Sequence, residues 1–270
     1  MQRWLIVVRR AGRRYSSGGC GFLAQAIAFN AFFAIFPLLL LASAGVGYVF
    51  GTEDGQARVI AVVDSLAPAA HALLADQIRH VVSFRGASGF IGFVTLLWSG
   101  KSLFGALAYA LDHSLGTQRP RPLLDSIVLS LIMVPIVGTL LLIATVLPVA
   151  LSFLSHAHLL PAWLGATEFA GYVTSFAMVF LGTAIMYRYL PTTRLPFRYG
   201  IPGALFAAFA FEGVQILFAA YTLHTNLTQV YGTVSTIVAL LLWFNLIGMI
   251  FLFGAQLSAE WAEEHAAVPR

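Results

Sequence analysis

Residues 233–259 read TVSTIVALLLWFNLIGMIFLFGAQLSA, an apolar run without a single Asp, Glu, Lys or Arg. A helix needs about 20 mostly apolar residues to cross the hydrocarbon core of a bilayer, and this run is longer than that. Backbone that crosses lipid must satisfy its own hydrogen bonds, which makes the run a transmembrane helix. Five more stretches of the same kind lie upstream, at 23–50, 88–111, 123–151, 168–190 and 201–222. The sequence thus predicts an all-α fold, a polytopic membrane bundle of six transmembrane helices. The third span contains Pro135 and Pro148, where a kink or an early end is expected. Pro191-Thr192-Thr193-Arg194-Leu195-Pro196 cannot continue a helix and separates the fourth span from the fifth.

Composition agrees. The 270 residues are 59% hydrophobic and 10% charged, with a mean hydropathy of +0.86. Soluble domains carry roughly 25% charged residues, so membrane lipids must cover this surface. The pI near 9.5 raises the idea of nucleic acid. The basic residues, however, fall at the ends of apolar stretches, as membrane topology requires, and no nucleic-acid partner is expected. The single cysteine, Cys20, rules out an intrachain disulfide and reads as a packed small thiol.

Basic segments stay on the cytoplasmic side. Arg3, Arg9, Arg10, Arg13 and Arg14 precede the first span, Arg119 and Arg121 follow the second, and Arg188, Arg194 and Arg198 flank the turn after the fourth. The alternating loops at 152–167 and 223–232 contain no Lys or Arg. Both termini are therefore placed in the cytoplasm, with a segment at 1–22, a membrane domain at 23–259 and a tail at 260–270. The N-terminal segment fits a short interfacial helix, with Trp4, Leu5 and Val8 dipped in lipid and its arginines on anionic headgroups. Between the first and second spans, the 51–87 insertion has Val59, Val62, Val63 and Leu66, then Leu74, Ile78, Val81 and Val82, at helical spacing. That pattern predicts two amphipathic helices, as a lipid-surface anchor or as a lid over an outward-facing cavity.

An ionisable side chain inside a span is costly and faces a cavity or a partner. Glu212, near the middle of the fifth span, is the leading candidate for a substrate or proton site. Asn30 holds the matching place in the first span, because Ala28-Phe29-Asn30 with Phe36 parallels Ala210-Phe211-Glu212 with Phe218. The spans that follow both carry Leu-Leu-Trp, ending at Trp98 and Trp243, so two hairpins related by duplication are expected, with the site where repeats meet. Gln215 lies one turn beyond Glu212. Lys101 in the second span is the natural counter-ion, which leaves two readings of Glu212: a ligand or proton site, or a buried structural pair. Asn245 and Gln256 in the last span complete a candidate polar lining.

No cofactor or metal is called for. His71, His80, His156 and His158 come without cysteines or carboxylates at ligand spacing. Gly-x-Ser-x-Gly, His-Glu-x-x-His and Walker-type patterns are missing, so no catalytic set is visible and a non-enzymatic role is expected. Gly47 and Gly51, with Gly86, Gly89 and Gly92, suit close helix packing, within one chain or in a homo-oligomer.

Several stretches together resemble the BrkB/YihY family of bacterial inner-membrane proteins. They are Ala28-Phe29-Asn30 through Phe36-Pro37-Leu38-Leu39, Leu96-Leu97-Trp98-Ser99, Tyr187-Arg188-Tyr189-Leu190-Pro191, Gly203-Ala204, Phe218-Ala219-Ala220-Tyr221, Tyr231-Gly232, Leu242-Trp243 and Gly254-Ala255-Gln256-Leu257. The chain departs from the family pattern at Gln256, where a glutamate is usual, at Ala34, often serine, and at Lys101. The resemblance implies six spans, cytoplasmic ends, a place in the bacterial inner membrane, and links to envelope lipid handling or movement of small solutes. The family's older name, ribonuclease BN, fits the residues poorly, since RNA hydrolysis wants clustered acids, histidines or a metal on a wet face. The leading expectation is a transporter-like protein that moves a lipid-like molecule or small polar solute through a cavity between helices. The alternative is a non-transporting scaffold or assembly factor for envelope biogenesis.

Overall fold

The computed structural model describes residues 2–49, 85–117, 122–156, 167–193, 196–224 and 235–266. Seven helices form among them, and no strand. They are α1 (Gln2–Ser17), α2 (Cys20–Val49), α3 (Arg85–Ser114), α4 (Leu123–His156), α5 (Thr167–Tyr189), α6 (Phe197–His224) and α7 (Ser235–Ala266). The expected amphipathic insertion at 51–87 lies, up to residue 84, outside the described residues. By length and composition, four stretches of described helix can cross a membrane: Cys20–Pro37, Phe90–Ser114, Phe197–Phe218 and Ile237–His265. Leu124–Leu140 is a shorter apolar stretch.

Helix ends differ from the sequence reading in three places. The 34-residue α4 runs unbroken through Pro135 and Pro148 rather than ending early. Such a helix extends about 51 Å, and prolines are tolerated in membrane helices because neighbouring groups re-satisfy the freed carbonyls. Residues 260–266 continue α7 instead of starting a tail. The 1–22 segment breaks at Gly18-Gly19, where Gly19 takes the left-handed φ of 62° that lets the chain turn from α1 into α2. Gly116, at φ 71°, ends α3 in the same way, with the Thr117 amide returning to the Asp112 carbonyl at 2.8 Å.

Contacts divide the chain into two compact units, one of residues 1–31 and 101–270 and the other of residues 32–100. In the smaller unit, Phe32 stands edge-on to Phe33 and Phe36 on α2, and Phe90 and Trp98 project outward from α3. The larger unit holds the main core. Cys20, Ala24 and Ile27 of α2 pack there with Phe104, Leu107 and Leu111 of α3, Met133 of α4, Ala184 and Tyr187 of α5, Ala204 of α6, and Phe251, Leu252 and Ala255 of α7.

The small residues in that list matter most. Between helices in lipid the driving force is van der Waals contact, so close backbone approach is favoured. At the crossing of α6 and α7, a Cβ added to Gly203 would run into the Gly254 carbonyl and the Ser258 hydroxyl. One added to Gly254 would come within 2.7 Å of the Gly203 carbonyl. Gly248 approaches α2 likewise, with the Ala24 carbonyl 3.0 Å from where a Cβ would stand. Beside the crossing, the fully buried Tyr187 hydroxyl of α5 donates to the Phe251 carbonyl of α7 at 2.6 Å, and its ring packs on Phe251.

Gly203→Val should therefore force α6 and α7 apart. Overpacking of this kind costs about 1–3 kcal/mol, read as a lower midpoint of thermal unfolding in detergent. Gly213→Val, on the same helix where an added Cβ meets nothing within 4 Å, should leave the midpoint unchanged.

Candidate functional site

The six polar candidates do not assemble into one lining. Gln256 sits deep in the core at 1% exposure and is committed to structure. Its Nε2 donates to the Ser114 carbonyl at the end of α3 (2.7 Å) and approaches the Cys20 thiol at 3.8 Å. It therefore ties α7 to the last turn of α3 and the first of α2, at a helix end where orphan carbonyls need donors. Asn30 is half-buried and spends its amide on its own helix, donating to the Ala26 carbonyl at 2.8 Å. Gln215 is exposed. Lys101 is half-buried on α3.

The Gln256 Oε1 and the Tyr15 hydroxyl are buried without a hydrogen-bond partner, and Glu212 and Asn245 carry such atoms too. Both carboxylate oxygens of Glu212, and the Oδ1 of Asn245, are buried without a hydrogen-bond partner. Lys101, the expected counter-ion, gives neither Glu212 oxygen a hydrogen bond. Helix register relates Glu212 and Asn245. Helices α6 and α7 pack together, crossing at Gly203 and Gly254, and farther on Trp243 of α7 packs against both Phe211 and Phe218 of α6. This antiparallel register places Glu212 and Asn245 the same number of residues from the crossing glycines. At 1.5 Å per residue, each is about 14 Å along its helix from the crossing, so they share a depth. Gln256 lies on the far side of that crossing, away from both.

Glu212 lies on α6 at the boundary between packed and exposed positions, with the fully buried Ala208 one turn before it. Gly203, Ala204, Ala207 and Ala208 are buried, whereas Ile201, Leu205, Phe209 and Ile216, which flank Glu212 at helical spacing, are exposed. The carboxylate is covered by protein although the neighbouring side chains at 201, 205, 209 and 216 are exposed. An ionised carboxylate there, without a partner, is destabilising. Such a group either carries a proton or accepts a ligand able to donate hydrogen bonds or positive charge. Among the described residues no group of three or more His, Cys, Asp or Glu could hold a metal ion. His71, His80 and His158 fall outside the described residues.

Several structural polar contacts escaped the sequence reading. Asp112, at the end of α3, accepts from the Thr192 amide (2.6 Å) and hydroxyl (2.7 Å), fixing the turn after α5. Arg14 of α1 binds Glu263 of α7 through both guanidinium nitrogens, at 2.8 and 2.7 Å, and its Nε meets Glu260 at 2.7 Å. Hydrogen bonding to Glu263, opposed by desolvation and aided by the charge of Glu260, raises the Arg14 pKa above its usual value. Arg10 reaches Glu264 at 3.5 Å. The i, i+3, i+4 spacing of Glu260, Glu263 and Glu264 at the end of an apolar span was the available signal.

Comparison with known proteins adds a family. Residues 11–270 match the family described as "Virulence factor BrkB". A ribonuclease-like protein of Bacillus subtilis, YfkH, is 26% identical over 249 residues, covering 86% of each chain. A UPF0761 membrane protein of Aromatoleum aromaticum is 26% identical over 262 residues, covering 91% of this chain and 61% of its own. A UPF0761 membrane protein of Pseudoalteromonas translucida is 36% identical over 99 residues, a third of its length. The chain thus spans about three fifths of the Aromatoleum relative and most of the Bacillus one. No solved structure matches.

The two readings of Glu212 separate by stability. Breaking a buried ion pair costs about 3–5 kcal/mol, whereas removing an unpaired buried charge is neutral or stabilising. Glu212→Leu should leave the unfolding midpoint in detergent unchanged or raise it, and a marked fall would indicate a structural pair.

Proposed function

The chain belongs to the BrkB family of membrane proteins, and from that premise we propose that it is a carrier, moving a lipid-like molecule or a small polar solute across the bacterial inner membrane. The observation that carries the reading is the Glu212 carboxylate, buried at both oxygens without a hydrogen-bond partner. A packed scaffold gains nothing from such a group, and a binding site does. Asn245, at the same depth on the neighbouring helix, supplies a second unfilled acceptor.

In this reading α2 to α7 are the six spans. The shortest, the 23-residue α5, reaches about 35 Å, enough for the hydrocarbon core. The arginine-free loops at 152–167 and 223–232 support cytoplasmic ends, while the longer 51–87 loop holds Arg58, Arg79 and Arg85 spread along it. Glu212 accepts a donor group of the substrate, or a proton that moves with it, and Asn245 accepts from the same ligand. The exposed apolar side chains Leu205, Phe209 and Ile216 around Glu212 suit a substrate with an apolar part. Nothing in this scheme requires a covalent step, so the proposal is of a non-enzymatic protein, and the ribonuclease-like name of the Bacillus relative is not carried over to it.

The test is osmotic swelling of proteoliposomes holding the purified chain, across a panel of small polyols, amino acids and glycerol phosphates. Solute-specific swelling that Glu212→Gln abolishes and Gln215→Ala leaves intact is expected. Where no solute gives swelling, fluorescent phospholipid exchange between leaflets tests the lipid-like substrate with the same variants. Inactivity in both assays would leave the scaffold reading standing.

A further inference from the structure

The helix α1 has two faces with different tasks. At 100° per residue, Val7, Ala11 and Arg14 share one side, while Leu5, Ile6, Arg9 and Arg13 fall within a roughly 100° arc opposite. Burial follows that division. Val7 and Ala11 are buried against Leu257 of α7, and Trp4 meets Trp261 edge-on at 5.2 Å between centroids. Leu5 is 64% exposed, Ile6 45% and Trp4 42%, and Arg9 and Arg13 are exposed.

Charge is divided the same way. Arg14 and Arg10 are held by Glu260, Glu263 and Glu264. Among the described residues, neither Arg9 nor Arg13 forms an ion pair. The helix therefore turns two paired cations toward the protein and two unpaired ones away from it, next to bulky apolar side chains. It does so at the end of α7, a helix able to cross the membrane. Tryptophan at that level is itself typical of the membrane–water boundary.

We propose that the outward face of α1 binds the phosphate-bearing headgroups of anionic phospholipids, with Arg9 and Arg13 as the headgroup ligands. Leu5 and Ile6 insert beside Trp4 among the acyl chains, and the two guanidiniums, one turn apart, sit at the phosphates. Arginine suits this position because its planar fork gives paired hydrogen bonds to phosphate oxygens. The salt bridges to α7 hold the helix in place, so lipid binds a preformed surface instead of folding one. This inference is independent of transport and of Glu212.

The experiment uses the full-length protein in phosphatidylcholine bilayers with trace spin-labelled phosphatidylglycerol or spin-labelled phosphatidylcholine. Electron paramagnetic resonance reads the fraction of each lipid immobilised by protein. The wild-type chain should prefer phosphatidylglycerol, and R9Q/R13Q should lower that preference by about threefold, each surface cation contributing measurably to anionic-lipid attraction. R9K/R13K should retain most of it, and raised salt should weaken it in the wild type. Both arginines are exposed, so the unfolding midpoint of R9Q/R13Q should match the wild type. An unchanged preference in R9Q/R13Q would overturn the proposal, as would equal loss of both lipids. Arginine-dependent capture of a single-stranded RNA oligonucleotide without any lipid preference would overturn it too.

Discussion

Where Gly203 and Gly254 meet, α6 and α7 touch backbone to backbone, and a single methyl group on either would collide with the other helix. In lipid no hydrophobic effect draws helices together, so this contact must supply dispersion energy by closeness alone. The other helices around it use α7 as a common support. Tyr187 of α5 hydrogen-bonds to its Phe251 carbonyl, Ala24 of α2 lies on Gly248, the end of α3 is tied by Gln256, and α1 is held by Glu260 and Glu263. A change in the α6–α7 distance would disturb each of these, because close-packed interiors transmit displacement.

Polar groups in the larger unit are not all matched. Around the ends of the helices several are matched: Asp112 with Thr192, the Gln256 amide nitrogen with Ser114, and Arg14 with Glu260 and Glu263, whereas the Gln256 Oε1 and the Tyr15 hydroxyl are not. Helix ends expose carbonyls and amides that must be satisfied, so polar side chains there increase stability. In the middle of α6 and α7 the backbone is already satisfied, and a carboxylate or amide has nothing of its own helix to serve. Glu212 and Asn245 are such groups, and their acceptor oxygens stay unmatched. Among the unmatched groups the carboxylate is the costliest, because burial penalises a charge more than a neutral amide or hydroxyl.

The sequence exposed the apolar helices and the leading residue of the candidate site, because a lone glutamate in an apolar run violates a strong rule. It exposed less about partners. Gln256 looked like part of the same lining, yet it lies beyond the Gly203–Gly254 crossing and faces the end of α3. Nothing in its local sequence indicates that a carbonyl 142 positions away will accept its amide. Lys101 looked like the counter-ion of Glu212 because opposite charges in lipid are expected to meet, but it gives neither Glu212 oxygen a hydrogen bond. Of the kink or early end expected at Pro135 and Pro148, the early end does not occur. The proline rule is calibrated on helices in water, and membrane helices tolerate the missing donor. The arginines of α1 were legible as a basic segment, but their division into paired and unpaired sets depends on glutamates at the other end of the chain.

Placing the unmatched pair on α6 and α7 has a mechanical consequence. A site that must bind and release needs fixed geometry from rigid elements, with motion supplied elsewhere. The glycine crossing makes α6 and α7 the closest-packed pair described, so the depth of Glu212 relative to Asn245 is set by backbone contact about 14 Å away, not by flexible side chains. Ala208, fully buried one turn before Glu212, and the burial of both carboxylate oxygens close the group off, so a ligand reaches it only when neighbouring side chains move aside.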